Sequence, residues 1–566
     1  MSISIGAPVN NTFTDGLDRY CSLDRLSMDR NSTEDQLLTN ISEVAEHDLI
    51  IVSTHDLSQR VNKNYGLTPS TIKIIQGLAL VRPTILVHFG NPYALSQFDS
   101  LTDLKGIIVA YEEQDIALDL ASQLIFNGIP AKGKLPVSIN LDYPVGTGIT
   151  WNSATRLKYT IPEDLGIAEL KLKSIDSIVY DAIKQGVFPG CQIMAIKDGQ
   201  VFYHKAFGKH TYEGERPVDL NDVYDIASIT KIAASAASIM RLEDDNLFNV
   251  EKTIGDYLPV LTDSTDYYKT KLKYMLSHQA GFVSWIPFYI RTLHKGQPSF
   301  KLYSPEKTVY NTVEVAEGIW LNPSYQDTVF NRIIGTSISA RKKYKYSDLG
   351  YYFINRIIGK QTGVQQNNFV DSVFYQPMGL EQIGYLPREK YSLEDIVPTE
   401  KDSYFRHQLV HGYIHDQGSA LFGGVQGHAG LFSNANDLGV MMQMFTNYGT
   451  YGGERYLSDS VVRKYTSSHY LSNGNRRGIA FDKPVRAGGS GPTCSKCASG
   501  NSFGHSGFTG TITWADPDAG LVYVFLSNRV YPDATNRKII SMSVRTKIQR
   551  VLYNAVNSAD ESKLDL

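Results

Sequence analysis

Apolar and polar positions alternate in blocks along the first 150 residues. Continuous apolar runs, typical of buried strands, occur at 48–56, 83–95 and 106–113. Residues 68–80 and 114–128 instead carry apolar residues at helical spacing. This alternation predicts an α/β sandwich with a doubly wound sheet. The segment 129–139 (IPAKGKLPVSI) is expected to close this region with turns and a short strand.

The regular alternation of strand-like and helical segments is lost at 146–165. We therefore expect residues 1–145 and 166–566 to form two domains joined by a linker. Beyond the linker, 190–208 and 510–529 each predict a β-hairpin, and helices are expected from near Ser228 and over 536–556. The second domain is therefore predicted to be α+β, an antiparallel sheet flanked by helices. One face of its last helix is expected to carry Ile540, Val544, Ile548 and Val551.

Composition narrows the function classes. A chain of 566 residues is longer than one hydrophobic core usually organises, so more than one domain is expected. Its net charge of -3 argues against a nucleic-acid partner, and no apolar run is long enough to span a membrane. The N-terminal residues lack the basic and apolar parts of a signal peptide. We therefore expect a cytoplasmic protein, or a periplasmic or other extracytoplasmic one if an upstream segment was lost, and the compartment stays open.

Cysteine spacing does not predict a metal site. Cys494 and Cys497 form a single CxxC in the loop GPTCSKCASG. One such pair supplies half the ligands of a structural zinc site, and no second pair or HxxxH lies nearby. We interpret the two cysteines as a loop pair, either reduced or disulfide-bonded.

The first candidate for chemistry is Ser228-Ile229-Thr230-Lys231 at the start of a predicted helix. Serine is a poor nucleophile unless a base lies beside it, and positions i and i+3 share a helix face. A lysine acts as that base when its surroundings lower its pKa. The SxxK spacing also occurs at Ser70 and Ser304, so it gains weight only from the motifs that follow.

Two later motifs complete the candidate site. Tyr346 opens Tyr-Ser-Asp, and its hydroxyl could relay protons between Ser228, Lys231 and a leaving group if nearby positive charge lowers its pKa. The second motif is His505-Ser506-Gly507, whose glycine allows close approach of the backbone. The N–H of the next residue, Phe508, is expected to act with the N–H of Ser228 as the oxyanion donor pair.

In this order, SITK, YSD and HSG resemble the penicillin-binding-protein-like or class C β-lactamase-like serine hydrolases, whose motifs are SxxK, YxN and KTG or HxG. The segments PGCQIMAIKDGQVFYHKAFG, YMLSHQAGF and QGHAGLFSNANDLGVMMQMF look like further marks of that family, and the resemblance covers about 390 residues. It implies catalysis by Ser228, Lys231 and Tyr346 without a metal or cofactor. His278 and His428, which lie in the secondary motifs, are expected to be structural.

Two departures from the family pattern bear on the substrate. Asp348 stands where asparagine is usual, and an ionised aspartate cannot donate a hydrogen bond to a substrate carbonyl. We also expect Asp348 to pair with Lys231. His505 stands where lysine is common, and a neutral histidine binds a carboxylate less well than an ammonium does. Asp348, His505, Gly507 and Phe508 are thus the predicted substrate and oxyanion residues, and efficient β-lactam hydrolysis is not expected.

Residues 45–140 look like a different family, the C-terminal α/β domain of family 3 glycoside hydrolases in the N-acetylglucosaminidase branch. The segment NGIPAKGKLPVSI carries most of this resemblance. The resemblance places that family's catalytic residues on a preceding barrel, and residues 1–150 offer no pair of carboxylates for acid and nucleophile roles. A non-catalytic accessory or docking domain is expected, with a separate glycosidase barrel chain as a candidate partner.

These observations predict a serine hydrolase that forms an acyl-enzyme on an ester, an amide or a D-amino-acid peptide, in bacterial cell-wall turnover. Its substrate would be a small molecule or a muropeptide. One alternative is a catalytically weak module that binds peptidoglycan or muropeptides. Another is a β-N-acetylglucosaminidase-associated subunit that lacks its barrel.

Overall fold

A computed structural model describes residues 1–33, 36, 41–485 and 496–564. The chain divides into two compact units, Met1–Tyr159 and Thr160–Leu566. The division falls within the segment 146–165, where the sequence predicts a linker. No helix in the described part of the chain is long and apolar enough to cross a membrane.

The N-terminal unit is built on a parallel sheet of five strands. These are β1 (Ser2–Ile5), β2 (Arg25–Met28), β3 (Ile50–Thr54), β4 (Thr84–His88) and β5 (Gly106–Val109), in the spatial order β2-β1-β3-β4-β5. Its helices are α1 (Thr12–Leu17), α2 (Ile41–Ala45), α3 (Pro69–Val81) and α4 (Asp115–Ile125). Because parallel strands need crossover connections, most strands are separated by a helix.

Helices pack on both faces of this sheet because successive strand residues point to opposite sides. Ile51 and Val87 belong to one buried cluster together with residues of α1 and α4. Ile50 and Val52 belong to another cluster with residues of α3. The near-continuous apolar runs of β3 and β4 follow from this burial on both sides.

The sequence analysis was incomplete at both ends of this unit. Strands β1 and β2 were not predicted, although β1 is wholly buried and pairs with both β2 and β3. The short strand expected within 129–139 is wrong: this segment contains turns and a single isolated bridge from Ala131 to Trp151. Its prolines and lysines leave too few buried alternating positions for a strand.

The C-terminal unit contains an antiparallel sheet flanked by helices. It includes β6 (Gly190–Lys197), β7 (Gln200–Gly208), β11 (Phe503–Ser506), β12 (Ile512–Asp516) and β13 (Leu521–Ser527), in the spatial order β11-β12-β13-β6-β7. A small sheet is formed by β8 (Tyr224–Asp225), β9 (Ile383–Gly384) and β10 (Phe432–Ser433). Both predicted hairpins are confirmed, as β6–β7 and β12–β13.

The longer helices of this unit are α5 (Glu169–Lys184), α6 (Ala237–Asp244), α7 (Tyr325–Ile334), α8 (Leu349–Thr362), α9 (Ala435–Thr446), α10 (Asp459–Thr466) and α11 (Val544–Leu564). Shorter helices lie at Ile254–Tyr257, Pro259–Thr262, Leu272–Leu276, Gln366–Val370, Gln376–Met378, Pro387–Lys390, Gln417–Ala420 and Lys538–Ser541. Further strands lie at Leu293–His294, Gln297–Pro298, Tyr303–Ser304, Val313–Ala316, Ile319–Leu321, Glu400–Asp402, Gln408–Val410, Thr450–Tyr451 and Glu454–Arg455.

Helices α5 and α11 cover one face of the large sheet. Their apolar residues share a buried cluster with alternate residues of β6 and β13, such as Ile193 and Tyr523. Val544 and Ile548 are buried there as expected. Ile540 is 61% exposed, because it precedes α11 in a separate short helix that ends at Ser541. The single long helix predicted over 536–556 is therefore wrong in its first turns.

Candidate active site

Ser228 lies in a single 3₁₀ turn, Ala227–Ile229, directly after strand β8. The chain continues as a π-helix over Lys231–Ala236 before α6 begins. Ala227 has a φ of 47°, a left-handed conformation that costs a non-glycine residue about 1–3 kcal/mol. This sharp turn carries the chain from the sheet edge to the helix and leaves Ser228 partly exposed.

Lys231 is fully buried and its side chain is surrounded by polar partners. Its Nζ donates to Ser228 Oγ at 2.8 Å and to the carbonyl oxygen of His428 at 3.0 Å. Asp348 Oδ1 lies 2.7 Å from the same nitrogen. Since a buried amine is costly without partners, this arrangement fixes the Nζ beside the serine oxygen. The i to i+3 spacing of SxxK thus brings the two groups together.

Tyr346 approaches Ser228 from the residues before α8. Its hydroxyl donates to Ser228 Oγ at 3.0 Å, and its ring lies 5.3 Å from Lys231 Nζ. Burial, reinforced by Asp348, raises the pKa of Tyr346 well above its usual value. The lowered pKa on which the proton-relay role was made conditional is not found, because desolvation outweighs the opposing charge of Arg477. A neutral phenol in this position suits the donation of a proton.

His278 and His428 hold the surroundings of these groups in place. His278 Nδ1 accepts the Ser347 N–H at 3.2 Å, and its ring lies 4.4 Å from the ring of Tyr346. His428 Nε2 contacts Asp416 Oδ1 at 2.9 Å while its carbonyl binds Lys231. Both histidines make the positioning contacts that a structural role would require.

His505 of the HSG motif lies in β11 and is buried. Its Nε2 faces Arg477 Nη1 at 3.2 Å, and its Nδ1 contacts the Ser506 carbonyl oxygen at 2.8 Å. These partners require a tautomer with the proton on Nδ1. Burial, together with the positive charges of Arg477 and Lys231, holds the pKa of His505 well below its usual value. The histidine is therefore neutral and its two nitrogens are already engaged.

Gly507 brings the end of β11 against the nucleophile turn. A Cβ built at Gly507 would lie 2.6 Å from the Ile226 carbonyl oxygen and 3.3 Å from Ala227 Cβ, so a larger residue could not fit. The Gly507 N–H donates to the Thr511 carbonyl at 2.8 Å, which forms the turn that presents Phe508. In the described part of the chain, the N–H groups of Ser228 and Phe508 have no acceptor. Gly507 packs against the turn that carries Ser228, so these two N–H groups belong to neighbouring segments and are the candidate oxyanion donors.

Arg477 is a site residue that the sequence analysis missed. Its side chain is 5% exposed, and its guanidinium carbon lies 5.3 Å from the Tyr346 ring. Besides His505, it contacts Tyr344 Oη at 3.3 Å and Asp482 at 3.3 Å. Since a guanidinium has five N–H donors, some remain for a ligand after these contacts. Arg477 therefore carries a fixed positive charge beside Tyr346 and His505, which the neutral His505 does not supply.

Other predicted features lie elsewhere or outside the described residues. Ser70, in the second SxxK, donates its hydroxyl to the carbonyl of Ser32 within the N-terminal unit. Ser304, in the third, lies in a short strand. Cys494 of the predicted CxxC pair lies outside the described residues.

The geometry places a serine beside a buried lysine, a tyrosine and two backbone N–H groups without acceptors. The Beta-lactamase family matches residues 175–541, which is more than half of the chain. This chain belongs to the Beta-lactamase family. The match contains all three motifs, from SITK through YSD to HSG.

Relatives of this β-lactamase-family chain include bacterial proteins. It is 28% identical over 409 residues to a provisionally named D-alanyl-D-alanine carboxypeptidase of Escherichia coli (strain K12), covering 67% of this chain and 88% of that protein. A protein of Salmonella gallinarum with the same provisional name is 29% identical over 405 residues, covering 67% of this chain and 87% of the relative.

Among solved structures, EstCE1, a hydrolase with promiscuous acyltransferase activity, superposes with a TM-score of 0.50 at 15% identity. The superposition covers 69% of this chain and 99% of EstCE1, and shows a shared fold. The family, its relatives and the site identify the C-terminal unit as a serine hydrolase of the β-lactamase fold.

Proposed function

We propose that this serine hydrolase is a D-peptidase that cleaves the C-terminal residue from D-alanyl peptides of the bacterial cell wall. The observation that carries this proposal is the Arg477–His505 pair beside Tyr346 and Ser228. A carboxypeptidase must recognise a free carboxylate next to the bond that it cleaves. A buried guanidinium with unused donors binds a carboxylate with charge and direction. The names of the bacterial relatives agree with this substrate class.

Acylation begins when Ser228 Oγ attacks the carbonyl carbon of the penultimate residue. For proton transfer the hydrogen bond between Ser228 Oγ and Lys231 Nζ reverses, so that the hydroxyl donates across the same 2.8 Å contact and the lone pair of the amine takes its proton. Asp348 at 2.7 Å stabilises the ammonium that forms. The N–H groups of Ser228 and Phe508 bind the oxyanion of the tetrahedral intermediate. As the C–N bond breaks, the Tyr346 hydroxyl protonates the leaving amine and regains its proton from Lys231.

Deacylation repeats these proton transfers with water as the nucleophile. Water attacks the ester carbonyl of the acyl-enzyme, and its proton passes towards Lys231. The C–O bond to Ser228 breaks, and Ser228 Oγ regains a proton as the acid product leaves. The protein's own residues carry every step of this cycle.

A second activity, hydrolysis of short acyl esters, is favoured by Asp348. The carboxylate of Asp348 faces Lys231 and has no N–H to donate to the amide carbonyl of a substrate. An ester with a good leaving group depends less on such a contact than a peptide or β-lactam does. We therefore expect ester turnover to exceed cephalosporin turnover.

A substrate panel tests the proposal directly. Turnover is measured with a D-Ala-D-Ala peptide, its C-terminal amide, a short acyl ester and a chromogenic cephalosporin. We expect the free-acid peptide to be cleaved with a kcat/KM about tenfold or more above that of the amide, because the amide lacks the carboxylate charge. Equal turnover of the two peptides, or a dominant cephalosporinase, would refute it. Saturable binding of muropeptides without turnover would instead support a catalytically weak binding module.

Asp348→Asn tests the assigned effect of the carboxylate. The amide keeps the size of the side chain and adds an N–H donor. We expect cephalosporin acylation to increase by about tenfold relative to acylation by a short ester, because one hydrogen bond to the β-lactam carbonyl becomes available, whereas the loss of the Lys231 partner slows both substrates. Ser347→Ala serves as a control for disturbance of the motif, since Ser347 Oγ binds the Val283 carbonyl away from Ser228. An unchanged ratio of cephalosporin to ester acylation in Asp348→Asn would refute this role.

We also propose that the N-terminal unit is a non-catalytic accessory domain of the type found at the C-terminus of family 3 glycoside hydrolases. Its parallel sheet, covered by helices on both faces, supports this proposal. The matching sequence marks lie between 45 and 140. We expect no release of nitrophenol from a β-N-acetylglucosaminide by this chain. Release that survives Ser228→Ala would contradict the non-catalytic assignment.

A further inference from the structure

We propose that Asp225 is a positioning residue that holds together the three segments carrying the nucleophile, the carbonyl partner of Lys231 and the oxyanion turn. Asp225 ends strand β8 and is 3% exposed. It does not contact Ser228 or Lys231 itself. The inference rests on the proposed role of Ser228 as nucleophile and does not depend on a D-peptide substrate.

The first link runs from Asp225 to the nucleophile. Its Oδ1 accepts the N–H of Ala227 at 2.8 Å. Ala227 is held at a φ of 47°, and Ser228 is the next residue. Because an alanine does not favour this conformation, a fixed acceptor for its N–H is needed to define where Ser228 Oγ points.

The second link runs from Asp225 towards Lys231. Its Oδ2 accepts the N–H of His415 at 2.7 Å, next to Asp416 in the chain. Asp416 in turn binds His428, whose carbonyl oxygen accepts from Lys231 at 3.0 Å. One carboxylate therefore connects the serine turn to the segment that orients the lysine.

The third link runs to the oxyanion turn. The main-chain oxygen of Asp225 accepts the Thr509 hydroxyl at 2.7 Å. In addition, the ring of Phe508 stacks on that of His415, with centroids 5.1 Å apart and planes 7° from parallel. The Phe508 N–H is thus held from both sides by segments that Asp225 binds.

Asp225 is ionised at neutral pH although its surroundings raise its pKa. Burial raises the pKa of Asp225 to about 6, although the N–H donors of His415 and Ala227 oppose the rise. His415, whose ring binds Glu400 at 2.7 Å, and the carboxylate of Asp416 face it. Arg406 lies behind them, 3.4 Å from Glu400.

Asp225→Asn tests the proposal because an amide offers one acceptor and places its NH₂ against the other N–H. We expect kcat for a short acyl ester to fall by about 10- to 100-fold, and labelling of Ser228 by a fluorophosphonate to slow in parallel. We expect KM to change by less than about threefold, because Asp225 does not touch the substrate region.

Asp222→Asn is the matched control. Asp222 is as buried as Asp225 and lies three residues earlier, but it binds His210 and Arg216 instead of the three segments. We expect its melting temperature to fall while kcat stays within about twofold. Equal loss of kcat in the two variants, or a kcat of Asp225→Asn within about twofold of the wild type, would overturn the proposal.

The pH dependence separates positioning from general damage. The ratio of kcat between wild type and Asp225→Asn cancels the titration of groups that Asp225 does not influence. His415 does not cancel fully, because the charge of Asp225 helps to raise its pKa. Because the carboxylate is ionised above its pKa of about 6, the ratio should be largest near pH 8 and shrink towards one near pH 5. A constant ratio over this range would contradict the proposed role.

If Asp225→Asn does not fold, Thr509→Val tests the third link. It removes the hydroxyl that donates to the Asp225 main-chain oxygen. We expect kcat to fall by about three- to tenfold with KM unchanged. An unchanged kcat would count against the proposal. If the protein turns over esters normally but does not cleave the D-peptide, the proposed substrate is refuted. The tests of Asp225 remain valid, because they use an ester.

Discussion

Two polar clusters, one in each unit, differ in what their buried groups are free to do. At the carboxyl end of β3, His55 contacts Glu113 and Ser53 through its two ring nitrogens, each at 2.9 Å. The second oxygen of Glu113 accepts the Asp56 N–H at 2.6 Å. Around Ser228, by contrast, two proton carriers converge on one partly exposed oxygen. Polar groups whose hydrogen bonds are all made within the cluster indicate a structural role. Two proton carriers that share one partly exposed serine oxygen indicate a catalytic role.

The buried histidines of the two regions sharpen this comparison. His88 of β4 contacts Thr54 Oγ1 at 2.9 Å and the Asn91 carbonyl oxygen at 3.1 Å, and burial lowers its pKa to about 4. His505 is also buried and neutral, but one of its partners is Arg477, which keeps donors for a ligand. A lowered histidine pKa therefore does not distinguish the two regions. The hydrogen-bond partners of each histidine distinguish them.

The largest expected effect comes from removing the base. Lys231→Met should lower kcat for an acyl ester by about 10³-fold or more, because Ser228 loses the group that takes its proton. Steady-state ester hydrolysis measures this effect.

The matched control is Lys73→Met in the second SxxK, on α3 of the N-terminal unit, which should leave kcat within about twofold. A large loss from Lys73→Met, or a small one from Lys231→Met, would remove the distinction between the two regions.

A smaller effect is expected from Arg477→Gln. It should raise KM for a free-acid D-Ala-D-Ala peptide by about 10- to 100-fold and leave KM for a neutral ester nearly unchanged. Arg476→Gln is the control, since Arg476 binds the same Asp482 without contacting His505. An equal change in KM for the peptide and the ester, or an equal change in Arg477→Gln and Arg476→Gln, would refute the proposed carboxylate site.

A further prediction concerns pH. Because burial and the nearby positive charges hold the pKa of His505 well below 6.5, the ring is neutral at every pH above that value. No positive charge is lost from His505 as the pH rises, so KM for the free-acid peptide should stay constant between about pH 6 and pH 8. Peptide kinetics at several pH values provide the check. A severalfold rise in KM over this range would show that His505 carries the charge.

The smallest effect on activity is expected from Glu113→Gln in the N-terminal unit. It removes a charged acceptor shared by His55 and the Asp56 N–H, and should lower the free energy of unfolding by about 1–2 kcal/mol. Ester kcat should stay within about twofold. Chemical denaturation and hydrolysis assays on the same sample measure both, and a loss of activity without loss of stability would assign this cluster a catalytic role.

The sequence predicted the parts of the site that depend on local spacing. Ser228 and Lys231 lie on one short helical segment, so their approach follows from the i to i+3 geometry. The YSD and HSG motifs identified Tyr346 and His505 through their order along the chain. Strands β1 (SISI) and β2 (RLSM) were missed because each has only four residues, and an alternation that short does not by itself indicate a strand.

The missed or mistaken features depend on packing between distant segments. Arg477 lies 28 residues from His505 and belongs to no motif, so only the fold brings its guanidinium beside Tyr346. The relay role of Tyr346 was made conditional on a lowered pKa, and the burial that raises this pKa does not follow from the sequence. Burial decides the direction of such shifts when it is complete.

The most direct test of the central claim is covalent labelling of Ser228. Wild type and Ser228→Ala are incubated with a fluorescent fluorophosphonate, and intact mass and peptide mapping locate the adduct. We predict one probe per wild-type chain, attached to Ser228, and none on Ser228→Ala. A wild type without an adduct, or equal labelling of both proteins, would contradict the assignment of Ser228 as the nucleophile.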